Sequence, residues 1–367
     1  MNQAPLPRRI VFMLPGPLDV LSGGTIYDCH IVDGLRRAYW QVDVLALAGG
    51  FPWPDAVALD EAARRVAQLP DGVCVVADGL AYGALPDIAR HHGRRLRWVA
   101  LVHHPLALET GLTAAQQQLL FASERCALAA TRGVIVTSAT TAAALADYGV
   151  APAHIHVVEP GTQPAPLATG SPRTGDGQAC TLLCVATLTP RKGHAVLFDA
   201  LAGLQDRNWT LHCVGDSQRD AATTRDLRAR IAALGLTQRV SLHGELDPAD
   251  VQAMYRCADV FVLPSYYEGY GMALAEALAS GLPVISTTGG AIADTVPADA
   301  GVLVPPGDSA ALRAALARLL DEPHWRARLA AGARRARTYQ HDWPVAVGRF
   351  TSALDTINRG AMVTDSP

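Results

Sequence analysis

The sequence is short of several things at once, and each shortage excludes a class of function. Charged residues make up 18% of the chain and aromatic ones 6%. Lysine and arginine number 31 against 34 acidic residues, so the formal net charge of -3 offers no broad positive field for nucleic acid. The seven cysteines, at 29, 74, 126, 180, 184, 213 and 257, have neither the paired C-x-x-C spacing of a zinc site nor the density of a disulfide scaffold. They predict reduced core cysteines in a cytoplasmic protein. No apolar run reaches the ~18 residues of a membrane-spanning helix, and the apolar stretch at 10–14 is too short for a signal sequence. The expectation is a soluble protein, at most peripheral to a membrane. No G-x-G-x-x-G follows a predicted strand, which argues against a dinucleotide dehydrogenase.

Half of the 367 residues are hydrophobic, enough for a substantial core in about two domains. Nearly continuous apolar runs at 10–14, 42–47, 73–77, 98–102 and 134–137 predict strands buried on both faces. Segments with helical spacing lie between them, at 25–37, 59–68 and 140–148. Residues 159–179 contain eight prolines and glycines without an apolar period, which marks a domain linker. The alternation then restarts, with strands predicted at 181–186, 209–214, 239–243, 260–263 and 283–286. Helices are predicted at 195–204, 224–234, 248–256, 271–280, 309–320 and 322–339. His341-Asp342-Trp343-Pro344 breaks the last of these, another amphipathic segment ends near Ile357, and 358–367 reads as a frayed tail. The predicted fold class is therefore α/β, with two Rossmann-like, doubly wound parallel-sheet domains facing across a cleft. One domain comprises 1–160 plus 340–367 and the other 161–339. Ligands of such sheets sit at the carboxyl ends of the strands.

The most informative stretch is Val260 to Gly290, where a strand, a glycine-containing loop and a helix follow in turn. The helix begins near Gly269 to Gly271 and stops at Ser280-Gly281-Leu282-Pro283. Glycines at its start leave first-turn amides uncovered, and with the helix dipole these form an anion site. Glu268 stands before the turn and Glu276 lies eight residues on. A carboxylate within such a helix accepts hydrogen bonds from a vicinal diol, and one at its mouth meets whatever hangs from a bound phosphate.

The arrangement Glu268-x7-Glu276, within P-S-x-x-E-G-[FY]-G-x-x-x-x-E-A-x-A-x-G-x-P-V, resembles the retaining family-4 glycosyltransferases of the GT-B fold. The likeness extends over nearly the whole chain: Gly23-Gly24 after the first strand, His103 at a strand end, Pro190-Arg191-Lys192-Gly193-His194, Val214-Gly215-Asp216, His243-Gly244-Glu245, and Gly301 to Asp308. The resemblance implies a hexosyltransferase using a nucleotide-sugar donor, with a UDP-sugar favoured and a GDP-sugar second. By the same likeness Glu276 holds the ribose hydroxyls, while Glu268 and the amides of Gly269, Tyr270, Gly271 and Met272 meet sugar and diphosphate. Lys192 matches the cation that neutralises the leaving diphosphate, and His103 the histidine that contacts the transferred sugar. Gly23 and Gly24 approach the diphosphate and acceptor, and Gly215, Gly244, Glu245 and Leu246 lie around the base.

No D-x-D stands at a strand end, so no metal clamp and no other cofactor is expected. Lys192, the amides and the helix dipole would take that role. The family's arginine before the lysine is missing; Ala186-Thr187 stands there, and Arg191 or another cation would substitute. The acceptor, a small molecule or a glycolipid, is left open. Arg90, His91, His92, Arg94, Arg95 and Arg97 form a basic run that could grip a phosphorylated acceptor or an anionic membrane; a solvated loop and helix end is the preferred reading. Trp53 and Trp343 are read as core before cleft aromatics. The rival functions are a nucleotide-sugar epimerase or hydrolase of the same architecture, and a non-catalytic nucleotide-sugar binder.

Overall fold

The computed structural model describes residues 8–18, 23–171 and 179–360. Two six-stranded sheets carry the fold, and every paired neighbour within them runs parallel. The first sheet contains β1 (Arg9–Leu14), β2 (Gln41–Ala46), β3 (Cys74–Asp78), β4 (Arg97–Val102), β5 (Gly133–Val136) and β6 (Ile155–Val157), in the order β2-β1-β3-β4-β5-β6. The second contains β7 (Cys180–Val185), β8 (Trp209–Val214), β9 (Val240–Leu242), β10 (Val260–Leu263), β11 (Val284–Thr287) and β12 (Gly301–Val304), in the order β12-β11-β10-β7-β8-β9. Strands β3, β10 and β11 are buried along their whole length, whereas the edge strands β6 and β9 are not. That difference explains the continuous apolar runs of the central strands.

Each sheet has one point where the strand order reverses. It falls between β1 and β3 in the first sheet and between β7 and β10 in the second. In doubly wound sheets this is where ligands enter, because the loops leaving the two strands diverge there.

The chain divides into two compact units: residues up to Gly161 together with those from Trp343 onward, and Thr162–Asp342. The helix Trp343–Gly360 belongs to the first unit. It packs on the helix Gly23–Arg37, where a Cβ on Gly34 would overlap the Val347 side chain. Trp343 is buried there, its ring stacked on His30 at 4.0 Å. Trp53, by contrast, is 42% exposed and no core residue.

Several expectations need correction. The stretch expected to be a linker is tied to the second unit: Ala168 N donates to Ser280 O and Thr169 N to Arg256 O, while Ser171 hydrogen-bonds Asp259. Residues 172–178 of that stretch lie outside the described residues. Strands β6 and β12 went unpredicted because each is a short edge strand. The helix Ala114–Leu128 also went unpredicted, since three glutamines interrupt its apolar face, although its capping box, Thr113 with Gln116, is readable as T-x-x-Q. Of the segment 358–367 expected as tail, 358–360 are helical and 361–367 lie outside the described residues. Cys74, Cys180, Cys184 and Cys213 are buried, but Cys126 and Cys257 are exposed, so the core reading fails for those two.

Candidate active site

In the second unit the two strands flanking the switch point each deliver part of one cluster. After β7 a short 3-10 turn, Pro190–Lys192, ends at Gly193 with φ +71°, where a Cβ would overlap the Pro264 carbonyl. Only glycine lets this turn lie against the loop leaving β10. That loop is laced on both sides: Tyr266 N donates to Arg191 O at 2.8 Å, and Ala291 N donates to Glu268 O at 2.8 Å. Glu268 is thereby fixed, only 6% exposed. Its Oε1 accepts from Lys192 Nζ and from Ser265 Oγ, both at 2.6 Å, and Arg191 Nη1 lies 3.5 Å from Oε2. Arg191 Nη1 also donates to Tyr267 O at 2.7 Å.

Burial would raise the Glu268 carboxyl, yet Lys192, then Arg191, and the Ser265 hydroxyl hold it below its ordinary range. The Lys192 ammonium is pulled down, first by burial and then by Arg191, against the opposing pull of Glu268. Two cations thus face one carboxylate in this cluster.

Beside this cluster starts the helix Met272–Ala279, whose N-cap Gly271 has φ +89° and whose end no side chain caps. Its start at Met272 agrees with the opening expected near Gly269 to Gly271, and its first intrahelical bond is Leu274 N to Gly271 O. The Met272 and Ala273 amides lie ahead of that bond, at the positive end of the dipole. One turn further in, Glu276 Oε2 accepts from Tyr255 OH at 2.9 Å, and burial raises its carboxyl above the usual value.

In the first unit, Asp78 ends β3 and His103 follows β4. Asp28 lies in the first turns of the helix Gly23–Arg37, whose start is Gly23-Gly24 itself. His103 Nε2 is 3.3 Å from Asp28 Oδ1 and 3.4 Å from Asp78 Oδ2, and both aspartates are buried. Tyr27 meets the imidazole edge-on at 5.4 Å, and a Cβ on Gly24 would lie 3.2 Å from it. Burial alone would depress the imidazole pKa, but Asp28 and Asp78 together raise it to about 10. Asp28 rises to about 7, chiefly through burial. Here two carboxylates share one cation.

Comparison with known proteins decides the family. A model described as glycosyl transferases group 1 matches residues 179–322. A D-inositol 3-phosphate glycosyltransferase of Thermomonospora curvata is 32% identical over 302 residues, 72% of this chain and 69% of the relative. Another so named, from Salinispora arenicola, is 32% identical over 399 residues, 90% of this chain and 88% of the relative. The chain belongs to the family-4 glycosyltransferases. The sucrose-phosphate synthase structure from Thermosynechococcus elongatus matches this glycosyltransferase with a TM-score of 0.80 at 22% identity, covering 96% of this chain and 100% of that one. HepE of Anabaena, solved with UDP and glucose, gives 0.72 at 17% identity over 94% and 99% of the two chains. Both carry the GT-B fold.

Other positions singled out in the glycosyltransferase scatter more widely. Gly215, with φ +148°, donates its N–H to Gly244 O at 2.8 Å, which joins the loops after β8 and β9. Glu245 is exposed and Leu246 packs on the core of the second unit. His104 pairs with Glu109 at 3.4 Å. Within the basic run, Arg95 donates to the Leu69 and Val66 carbonyls, Arg97 to Gly72 O, and Arg90 pairs with Asp87. Arg95 thus caps the end of the helix Ala56–Ala67, Arg97 holds a turn, and the Arg90 pair is solvated. Asp28, Asp78 and Tyr255 were missed. A carboxylate closing an apolar strand was a usable signal for Asp78; Tyr255, 21 residues before Glu276, offered none. Among the described residues no helix is long and apolar enough to cross a membrane.

Proposed function

We propose that this glycosyltransferase is a retaining hexosyltransferase that takes its sugar from a nucleoside diphosphate, UDP ahead of GDP, and passes it to a hydroxyl of a phosphorylated polyol. The observation that carries this reading is the pair of cations, Lys192 and Arg191, gathered around Glu268 beside a helix start that no side chain caps, at the β7/β10 switch point. Such a place suits a diphosphate without a metal clamp. Glu276, oriented by Tyr255, takes the ribose diol; in the first unit the His103 cluster is the group suited to sugar hydroxyls. The polyol phosphate is favoured by the inositol 3-phosphate named for both relatives.

In the reaction the anomeric carbon–oxygen bond breaks and its electron pair stays on the phosphate oxygen. That oxygen then accepts the proton of the incoming hydroxyl, which bonds the anomeric carbon from the same face. Lys192 stabilises the charge gathering on the leaving group. No carboxylate of the second unit's cluster is free to be a nucleophile, since Glu268 is held by Ser265, Lys192 and Arg191.

A thermal-shift panel of nucleotide sugars identifies the donor, because a ligand at 100 times its Kd adds about 2.7 kcal/mol. Transfer assays in chelator then compare inositol phosphates with lipid-borne acceptors. Product NMR with an inverted anomeric proton refutes the retaining assignment, and activity abolished by chelator and restored by a divalent ion refutes the metal-free diphosphate site.

A further inference from the structure

Directly behind the Arg191–Lys192 turn lies a cluster that transfer does not use. Cys184 of β7 and Cys213 of β8 are register partners, so their side chains leave the sheet on the same face. His194 opens the helix His194–Ala202 and brings its Nε2 to 3.6 Å from Cys184 Sγ. One ligand atom from each of the three residues lies within 4.8 Å of the others. All three are at most 1% exposed.

We propose that Cys184, Cys213 and His194 form a binding site for one Zn2+ ion, separate from the transfer chemistry. Two sulfurs and an imidazole are the soft donor set that zinc selects. A thiolate at about 2.3 Å and an imidazole nitrogen at about 2.0–2.1 Å from a tetrahedral centre lie about 3.6 Å apart. The structure holds Cys184 Sγ and His194 Nε2 at that separation. Zinc entry displaces the thiol protons of Cys184 and Cys213 to solvent, giving two zinc–sulfur bonds and one zinc–nitrogen bond. The fourth position is left to a small exogenous ligand. The paired spacing of sequence motifs is absent because the ligands come from two adjacent strands and a helix start.

The test uses the full chain, untagged, with Cys126→Ser and Cys257→Ser to remove the exposed thiols. The reduced, chelator-stripped protein is titrated with Co2+ and followed by absorption. The expected result is one equivalent bound, with a thiolate-to-metal charge-transfer band that Zn2+ abolishes. Cys184→Ser together with Cys213→Ser should remove the band, and His194→Gln should weaken binding at least about tenfold with unchanged circular dichroism. A folded, reduced parent that shows no band overturns the site, as does a band that survives Cys184→Ser together with Cys213→Ser. If the serine variants do not fold, the parent titration and His194→Gln decide. The readout is independent of transfer, so its failure leaves the proposed function standing.

Discussion

The two units place charged clusters at equivalent points of similar sheets, and the clusters have opposite sign. The second unit sets Lys192 and Arg191 against Glu268, whereas the first sets Asp28 and Asp78 against His103. A buried ion pair alone says little about stability, because desolvation offsets the Coulombic gain. The imbalance is what carries information. An excess cation suits a leaving diphosphate, and an excess of carboxylate suits sugar hydroxyls and the positive charge that develops as the anomeric bond breaks.

The comparison breaks most visibly at Lys192. Replacing it with alanine should lower turnover by about 10²–10³-fold, as removal of one preorganised charge-stabilising group does, in steady-state kinetics at saturating donor. Stability should change less, because Arg191 still partners Glu268. The first unit should behave the other way. His103→Gln strands two buried carboxylates and should cost about 3–5 kcal/mol in urea unfolding at neutral pH, and adding Asp28→Asn should recover part of the loss. Equal stability losses at Lys192 and His103 would remove the distinction between the clusters.

A smaller effect is expected at Glu276. Its replacement by alanine removes hydrogen bonds to a charged acceptor worth about 1.5–3 kcal/mol, so donor KM should rise roughly 10- to 100-fold with kcat less affected. Tyr255→Phe should move KM the same way by less.

The mildest effect is on pH dependence. The folded pKa of His103 is raised to about 10 from 6.5, so its contribution is complete below about 6.5 and is lost as pH rises toward 10. Asp28, raised from 3.8 to about 7, also makes stability fall with rising pH, between those values. Glu268 has the opposite sign: its folded value is depressed, and its contribution is lost on acidification. The stability gap between the native chain and His103→Gln should therefore shrink between pH 7 and 10. A constant gap would mean that His103 is not charged in the fold.

Much of this was legible in the sequence because it is local. Buried strands announce themselves as apolar runs, and Gly271, Glu268 and Glu276 belong to one strand-loop-helix segment. The partners of those residues were not legible. Lys192 reaches Glu268 across 76 positions, and Asp28 reaches His103 across 75. Only the parallel sheet order, which sets β7 beside β10 and β3 between β1 and β4, brings such residues together. The Cys184–Cys213 pairing is of the same kind, a register match invisible to spacing rules.

Calorimetry of nucleoside diphosphate against the corresponding monophosphate, in chelator, for the native chain and Lys192→Ala tests the central claim most directly. The account predicts a clear preference of the native chain for the diphosphate that largely disappears in the variant. An undiminished preference in Lys192→Ala would contradict it.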